Sequence, residues 1–131
     1  MFSSSLILCD SAQVYDNKVS MLGGGWTRMR FNSAFAIAAL VQLPPDMVGQ
    51  THRARLELVD ADGGLVAMPG GQPLVIESEV KVTLTGPHSV GVPVTMPFAV
   101  NFGPTPIPVG RHTFRFVVGR EVVSTSFEVH E

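Results

Sequence analysis

Residues 74–84 read LVIESEVKVTL, and their alternation decides the fold. Leu74, Ile76, Val80, Val82 and Leu84 point one way, with Ser78 the single interruption, while Val75, Glu77, Glu79, Lys81 and Thr83 point the other. Helical spacing would mix the two sets around the axis, so this is a strand with one buried face. The rhythm recurs at 94–102, where Val94, Met96, Phe98, Val100 and Phe102 share a face. Pro97 lies on the opposite face and has no amide hydrogen, which places that strand at a sheet edge or a bulge. Phe114, Phe116 and Val118 alternate with Thr113, Arg115 and Val117 up to Gly119-Arg120. A two-residue turn with glycine first is a type II′ hairpin. The returning strand turns Val123, Thr125, Phe127 and Val129 inward and Ser124, Ser126 and Glu128 outward. Residues 54–60, Leu6–Cys9 and Lys18–Leu22 add strands, the last two joined around Tyr15-Asp16-Asn17.

Residues 33–43, SAFAIAALVQL, are rich in the helix formers alanine and leucine. Pro44-Pro45 would stop a helix, and Asn32 or Ser33 would cap one. Every neighbour is a strand, however, and a central strand buried on both faces can use small alanines to let a facing sheet approach. The stretch is therefore read as a strand, with a single helical turn over Pro45 to Gln50. The runs at 86–93 and 103–110, rich in glycine and proline, are connectors. Seven to nine short strands punctuated by 13 glycines and 10 prolines predict an all-β chain, an antiparallel β-sandwich forming one domain over residues 1–131.

Composition narrows the function. Charged residues are 15% of the chain, against roughly a quarter in ordinary soluble domains. A surface so poor in charge exposes apolar area and favours a protein partner or a homo-oligomer. The net charge is −2, and Arg28, Arg30, Arg53, Arg55, Arg111, Arg115 and Arg120 are scattered along the length, which speaks against nucleic acid. Cys9 is the only cysteine, so no internal disulfide forms. Leu6-Ile7-Leu8-Cys9 loosely resembles a lipoprotein cleavage box, but no Lys or Arg precedes it and its apolar run is too short for a secretory signal. No run of about 18 apolar residues is available to span a bilayer. The expectation is a cytoplasmic protein without membrane contact.

Candidates for chemistry each have a structural counterpart. Gly23-Gly24-Gly25-Trp26 could cradle a phosphate only if a helix began directly after it and aimed its amides at the anion. The alternating Trp26–Phe31 stretch suits a strand instead, so the glycines are read as a bend or bulge, with Trp26 covering the core. Asp60-Ala61-Asp62-Gly63 opens like a calcium loop but lacks the later ligands, and Asp and Gly are also what a tight hairpin requires. Asp60 and Asp62 are the weak calcium candidates. His52, His88, His112 and His130 have no metal-ligand spacing, and Cys9 in an apolar strand reads as a small hydrophobe. No cofactor is implied, and no nucleophile or acid–base pair suggests an enzyme. Asp10, Gln13, Tyr15, Trp26 and Arg28 are the polar and aromatic residues able to line a ligand or interface surface.

Several of these residues occur together in a recognisable order. Leu8-Cys9-Asp10 with Ala12-Gln13, then Lys18, Leu22-Gly23-Gly24-Gly25-Trp26 and Leu56–Gly63, resembles a family of small bacterial proteins catalogued as a domain of unknown function. Pro108–Phe114 and Phe127-Glu128-Val129 extend the likeness over nearly the whole chain. His112 departs from it, standing where an aromatic tyrosine is common after the Gly-Arg pair, at a position expected near the surface. The resemblance implies a stand-alone, immunoglobulin-like protein of bacterial cytoplasm with no assigned activity. The leading functional expectation is a non-enzymatic interaction or self-associating module. The alternatives are a sugar or metabolite binder built around Trp26, Arg28 and Tyr15, and a calcium-stiffened adhesion domain.

Overall fold

A computed structural model describes residues 4–83, 92 and 94–131. Among these residues the chain forms ten strands: β1 (Ser5–Cys9), β2 (Ser11–Tyr15), β3 (Lys18–Leu22), β4 (Arg28–Arg30), β5 (Phe35–Leu43), β6 (Thr51–Val59), β7 (Val75–Lys81), β8 (Val94–Phe102), β9 (Gly110–Val118) and β10 (Glu121–His130). Leu84, His88 and all of the 86–93 connector except Val92 lie outside the described residues. The helical turn expected after Pro44 is a single 3-10 turn, Pro45–Met47.

Two sheets face each other, one in the order β1-β5-β8 and one in the order β4-β10-β9-β6-β7. Their inner faces carry the alternating apolar sets, and the core is stapled by aromatic rings from both sides. Phe35 of β5 and Phe102 of β8 lie 4.8 Å apart and stacked. Phe114 of β9 meets Phe35 at 5.8 Å and stacks on Phe127 of β10 at 5.3 Å. Such pairs add about 0.5–1.5 kcal/mol beyond their area burial. β7 and β8 are both terminal strands of their sheets, which is why Pro97 is tolerated and why Leu74, Ile76 and Val80 are only partly buried.

The alanine-rich stretch is a strand, and its two faces do different work. Phe35, Ile37, Ala39, Val41 and Leu43 enter the main core. Ala36 and Ala38 face the other way and form a second small core with Cys9 and Ala12, joined by Val19, Met21 and Ala99. This second layer is the β2–β3 hairpin, folded over the outer face of the β1-β5-β8 sheet. Asn101 of β8 fastens it, accepting a bond from the Ala12 amide at 3.1 Å and donating to the Ala12 carbonyl at 2.7 Å.

Two features depart from the expected seven-to-nine-stranded antiparallel pattern. The tenth strand is β2, read from sequence as part of a connection. It pairs with β3 through a turn in which Asp16 and Asn17 both take positive φ, 51° and 57°, a conformation these short polar side chains tolerate. The second is β4, which runs parallel to β10, Arg28 beside Glu128 and Arg30 beside His130; every other pairing is antiparallel. At the β9–β10 turn Gly119 takes φ 57° while Arg120 does not take a positive φ, the type II′ arrangement. No helix among the described residues is long and apolar enough to cross a membrane.

Candidate functional site

The triple glycine is an architectural bend. No helix follows Trp26; the chain runs extended into β4. Gly23 has φ 64°, and a side chain there would overlap the Asp10 carboxylate. Backbone bonds tie the bend to β1, from the Asp10 amide to the Leu22 carbonyl at 2.9 Å and from the Gly25 amide to the Leu8 carbonyl at 2.8 Å. The bend thereby carries the chain from the outer hairpin to the far side of the sandwich. Trp26 is half-buried and meets Phe35 edge-on at 6.3 Å. Its indole N–H is buried without a hydrogen-bond partner among the described residues.

The five surface candidates divide between two places. Asp10 stands at the base of the β2–β3 hairpin, and Gln13 and Tyr15 project from its outward side, with Tyr15 75% exposed at the tip. A depression of about 310 Å³ there is lined by Ser11, Gln13, Ser20 and Leu22. Trp26 and Arg28 lie instead at the entry to β4. No hydrogen bond, ion pair or ring contact joins the two groups among the described residues.

β4 has a feature that sequence reading could not reach. The Phe31 amide donates to the His130 carbonyl at 2.7 Å, and the Glu128 amide donates to the Thr27 carbonyl at 2.8 Å. In a parallel pair the N–H and C=O of one residue point to the same side, so Thr27, Met29 and Phe31 turn toward β10. Arg28 and Arg30 therefore turn their backbone groups away from it. β4 is the end strand of its sheet, and among the described residues the Arg30 carbonyl accepts only the Ser33 hydroxyl, at 2.8 Å. Among the described residues the Arg28 N–H, the Arg28 C=O and the Arg30 N–H thus form an open edge. Beside it lies a depression of about 590 Å³ lined by Arg30, Phe31, Ser33, Val109 and Glu131, in which Phe31 is 47% and Val109 54% exposed.

The outer face of the five-stranded sheet is a lattice of charge. Glu57 is only 5% exposed although it points outward, because arginines lie over it. Arg55 Nε donates to Glu57 Oε2 at 2.8 Å, and Arg115 binds the other oxygen. Arg55 also reaches Glu77 at 3.1 Å. Burial opposes ionisation of Glu57, but the hydrogen bonds from Arg55 and Arg115 outweigh it and hold the carboxyl below its ordinary range. A carboxylate whose folded pKa is depressed adds stability above its unfolded pKa and loses it as pH falls through the folded one. The stability gap between the wild type and Glu57→Gln should therefore be widest near neutrality and close between about pH 5 and pH 2. Urea unfolding across that interval measures it, and a gap independent of pH would contradict this account.

The remaining polar candidates have local roles. Asp60 Oδ1 accepts the Asp62 and Gly64 amides at 2.9 and 3.0 Å, closing the turn after β6. Among the described residues no group of three or more His, Cys, Asp or Glu is placed to hold a metal. Cys9 is wholly buried, and burial, with the Asp10 charge, pushes its thiol pKa up, away from nucleophilic reactivity. His112, expected near the surface, is instead buried against Phe127, because the β9 alternation turns it inward with Phe114 and Phe116; its Nε2 lies 2.6 Å from the Pro108 carbonyl.

No curated protein matches the chain closely enough to count as a relative. A family model does match, over residues 4–130, from the start of β1 through the last residue of β10. It spans both faces of the sandwich, the outer hairpin and the β4 edge, and so the chain belongs to a family of unknown function, DUF6941.

Proposed function

We propose that the protein is a non-enzymatic interaction module that receives an extended segment of a partner protein along the open edge of β4. The observation that carries this reading is the pair of outward-turned residues, Arg28 and Arg30, on a strand paired on one side only. Extended peptides add to such edges through main-chain hydrogen bonds, and neighbouring pockets supply specificity. Phe31 and Val109 provide an apolar contact directly beyond the strand. The low charge fraction favours a protein partner. The hairpin depression is a weaker candidate, being the smaller of the two, about 310 Å³ against about 590 Å³.

The test is selection of binders from a random heptapeptide library, followed by amide chemical-shift mapping. Enriched peptides should shift the Arg28 and Arg30 amides. An Arg30→Pro variant should abolish binding, since it removes an outward N–H and leaves the β10 ladder intact. Circular dichroism checks that the variant folds. Binders that shift only β2–β3 amides, or a failure to enrich any peptide, would reject the reading.

A further inference from the structure

We infer that the segment taken up at the β4 edge is acidic, with carboxylates at alternate positions; this rests on the edge-docking reading above. The fold gathers what the sequence scatters. Arg28, Arg30, Arg53, Arg55, Lys81, Arg111 and Arg115 all project from the outer face of the five-stranded sheet, seven of the nine Lys and Arg in the chain. Four of the eleven acidic residues share that face: Glu57, Glu77, Glu79 and Glu128. The face therefore carries three net positive charges, and the rest of the molecule five net negative ones, for the total of −2.

The excess is concentrated at the open edge. At the centre of the sheet Arg53, Arg55 and Arg115 are ion-paired with Glu57 and Glu77. Near β4 the register sets Glu128 between Arg28 and Arg111, one carboxylate beside two guanidiniums. Arg28 holds it at 3.2 Å. Arg30 and Arg111 have no carboxylate partner among the described residues. Glu131, at the rim of the adjoining depression, is the one acidic side chain lining it.

A strand added to this edge sets alternate side chains about 4.5–5.5 Å from Arg28 and Arg30, where opposite charges stabilise and like charges repel. The same rule disfavours a second copy as occupant, because β4 against β4 would bring four arginines together. Carboxylates at positions i and i+2 of the incoming segment complete the outer face. An apolar residue between or beyond them reaches the side of Met29 or the Phe31–Val109 depression.

Three fluorescein-labelled peptides of one length test this: alternating Glu and Val ending in Phe, and the same sequence with Gln or Lys in place of Glu. In anisotropy titrations at low salt the Glu peptide should bind at least tenfold more tightly than the Gln peptide. The difference should shrink in high salt, as exposed charge interactions are screened. The Arg28→Glu/Arg30→Glu double variant should invert the preference toward the Lys peptide. If repulsion from Glu128 prevents that variant from folding, Arg28→Gln/Arg30→Gln should equalise Glu and Gln binding. Equal binding of Glu and Gln peptides to the wild type, with Arg28 and Arg30 amides shifted, would overturn the acidic inference and leave edge docking intact. No shift with any peptide would overturn both. Displacement of the Glu peptide by a lower concentration of a ten-nucleotide oligo-dT would reassign the surface to nucleic acid and also overturn the inference.

Discussion

Replacing Phe114 with alanine is expected to lower the unfolding free energy by about 3–5 kcal/mol, the range for truncating a fully buried aromatic side chain. Phe114 has no exposed surface and stands where the two sheets meet. Its ring stacks on Phe127 of its own sheet, contacts Phe35 of the opposite one at 5.8 Å, and lies 6.3 Å from Phe102. The cavity left by alanine cannot collapse easily, because Phe35 and Phe127 sit on strands hydrogen-bonded on both sides, β5 and β10. Denaturant unfolding gives the number. A loss below about 1 kcal/mol would mean that the neighbouring rings close the gap and that the sheets are not stapled here.

The second large effect arises from overfilling. Ala38→Leu is expected to cost about 1–3 kcal/mol. Ala38 is essentially inaccessible, in the central strand of its sheet, beneath the β2–β3 hairpin. Three extra carbons would wedge the hairpin away from β5 while leaving the opposite face of the strand, Ile37 and Ala39, undisturbed. Amide exchange should thus accelerate in β2 and β3 far more than in β9 and β10. Uniform acceleration throughout the molecule would show that the hairpin does not yield separately from the main core.

Both substitutions concern positions that the sequence identifies by type. Alternation in 74–84, 94–102 and 113–129 names the inward residues, since in a one-sided strand every second side chain must be apolar. The double burial of 33–43 is also readable, because alternating bulky and small residues mark a strand squeezed between two layers. β2 escapes the same reading. Ser11, Gln13 and Tyr15 are its solvent side, Ala12 is the one buried residue, and no apolar run advertises a strand. The candidate site is less legible still. Trp26 and Arg28 are conspicuous by type, and Arg28 does flank the open edge. Arg30, Phe31 and Val109, however, become a surface only once β4 has found β10. That pairing depends on residues a hundred positions apart, and no local pattern encodes it. Burial of Glu57 is hidden for a similar reason, since its cover comes from Arg115 on another strand.

The parallel seam between residues 28–30 and 128–130 also has a bearing on how the molecule is made. As the polypeptide emerges from the ribosome, the early hairpin can zip within microseconds, whereas the seam must wait until residues 128–130 have been synthesised. Closing so long a loop carries an entropic cost that delays folding. In the interval the stretch around Trp26 is an unseated strand, and its arginines then act as guards against clumping with neighbouring nascent chains.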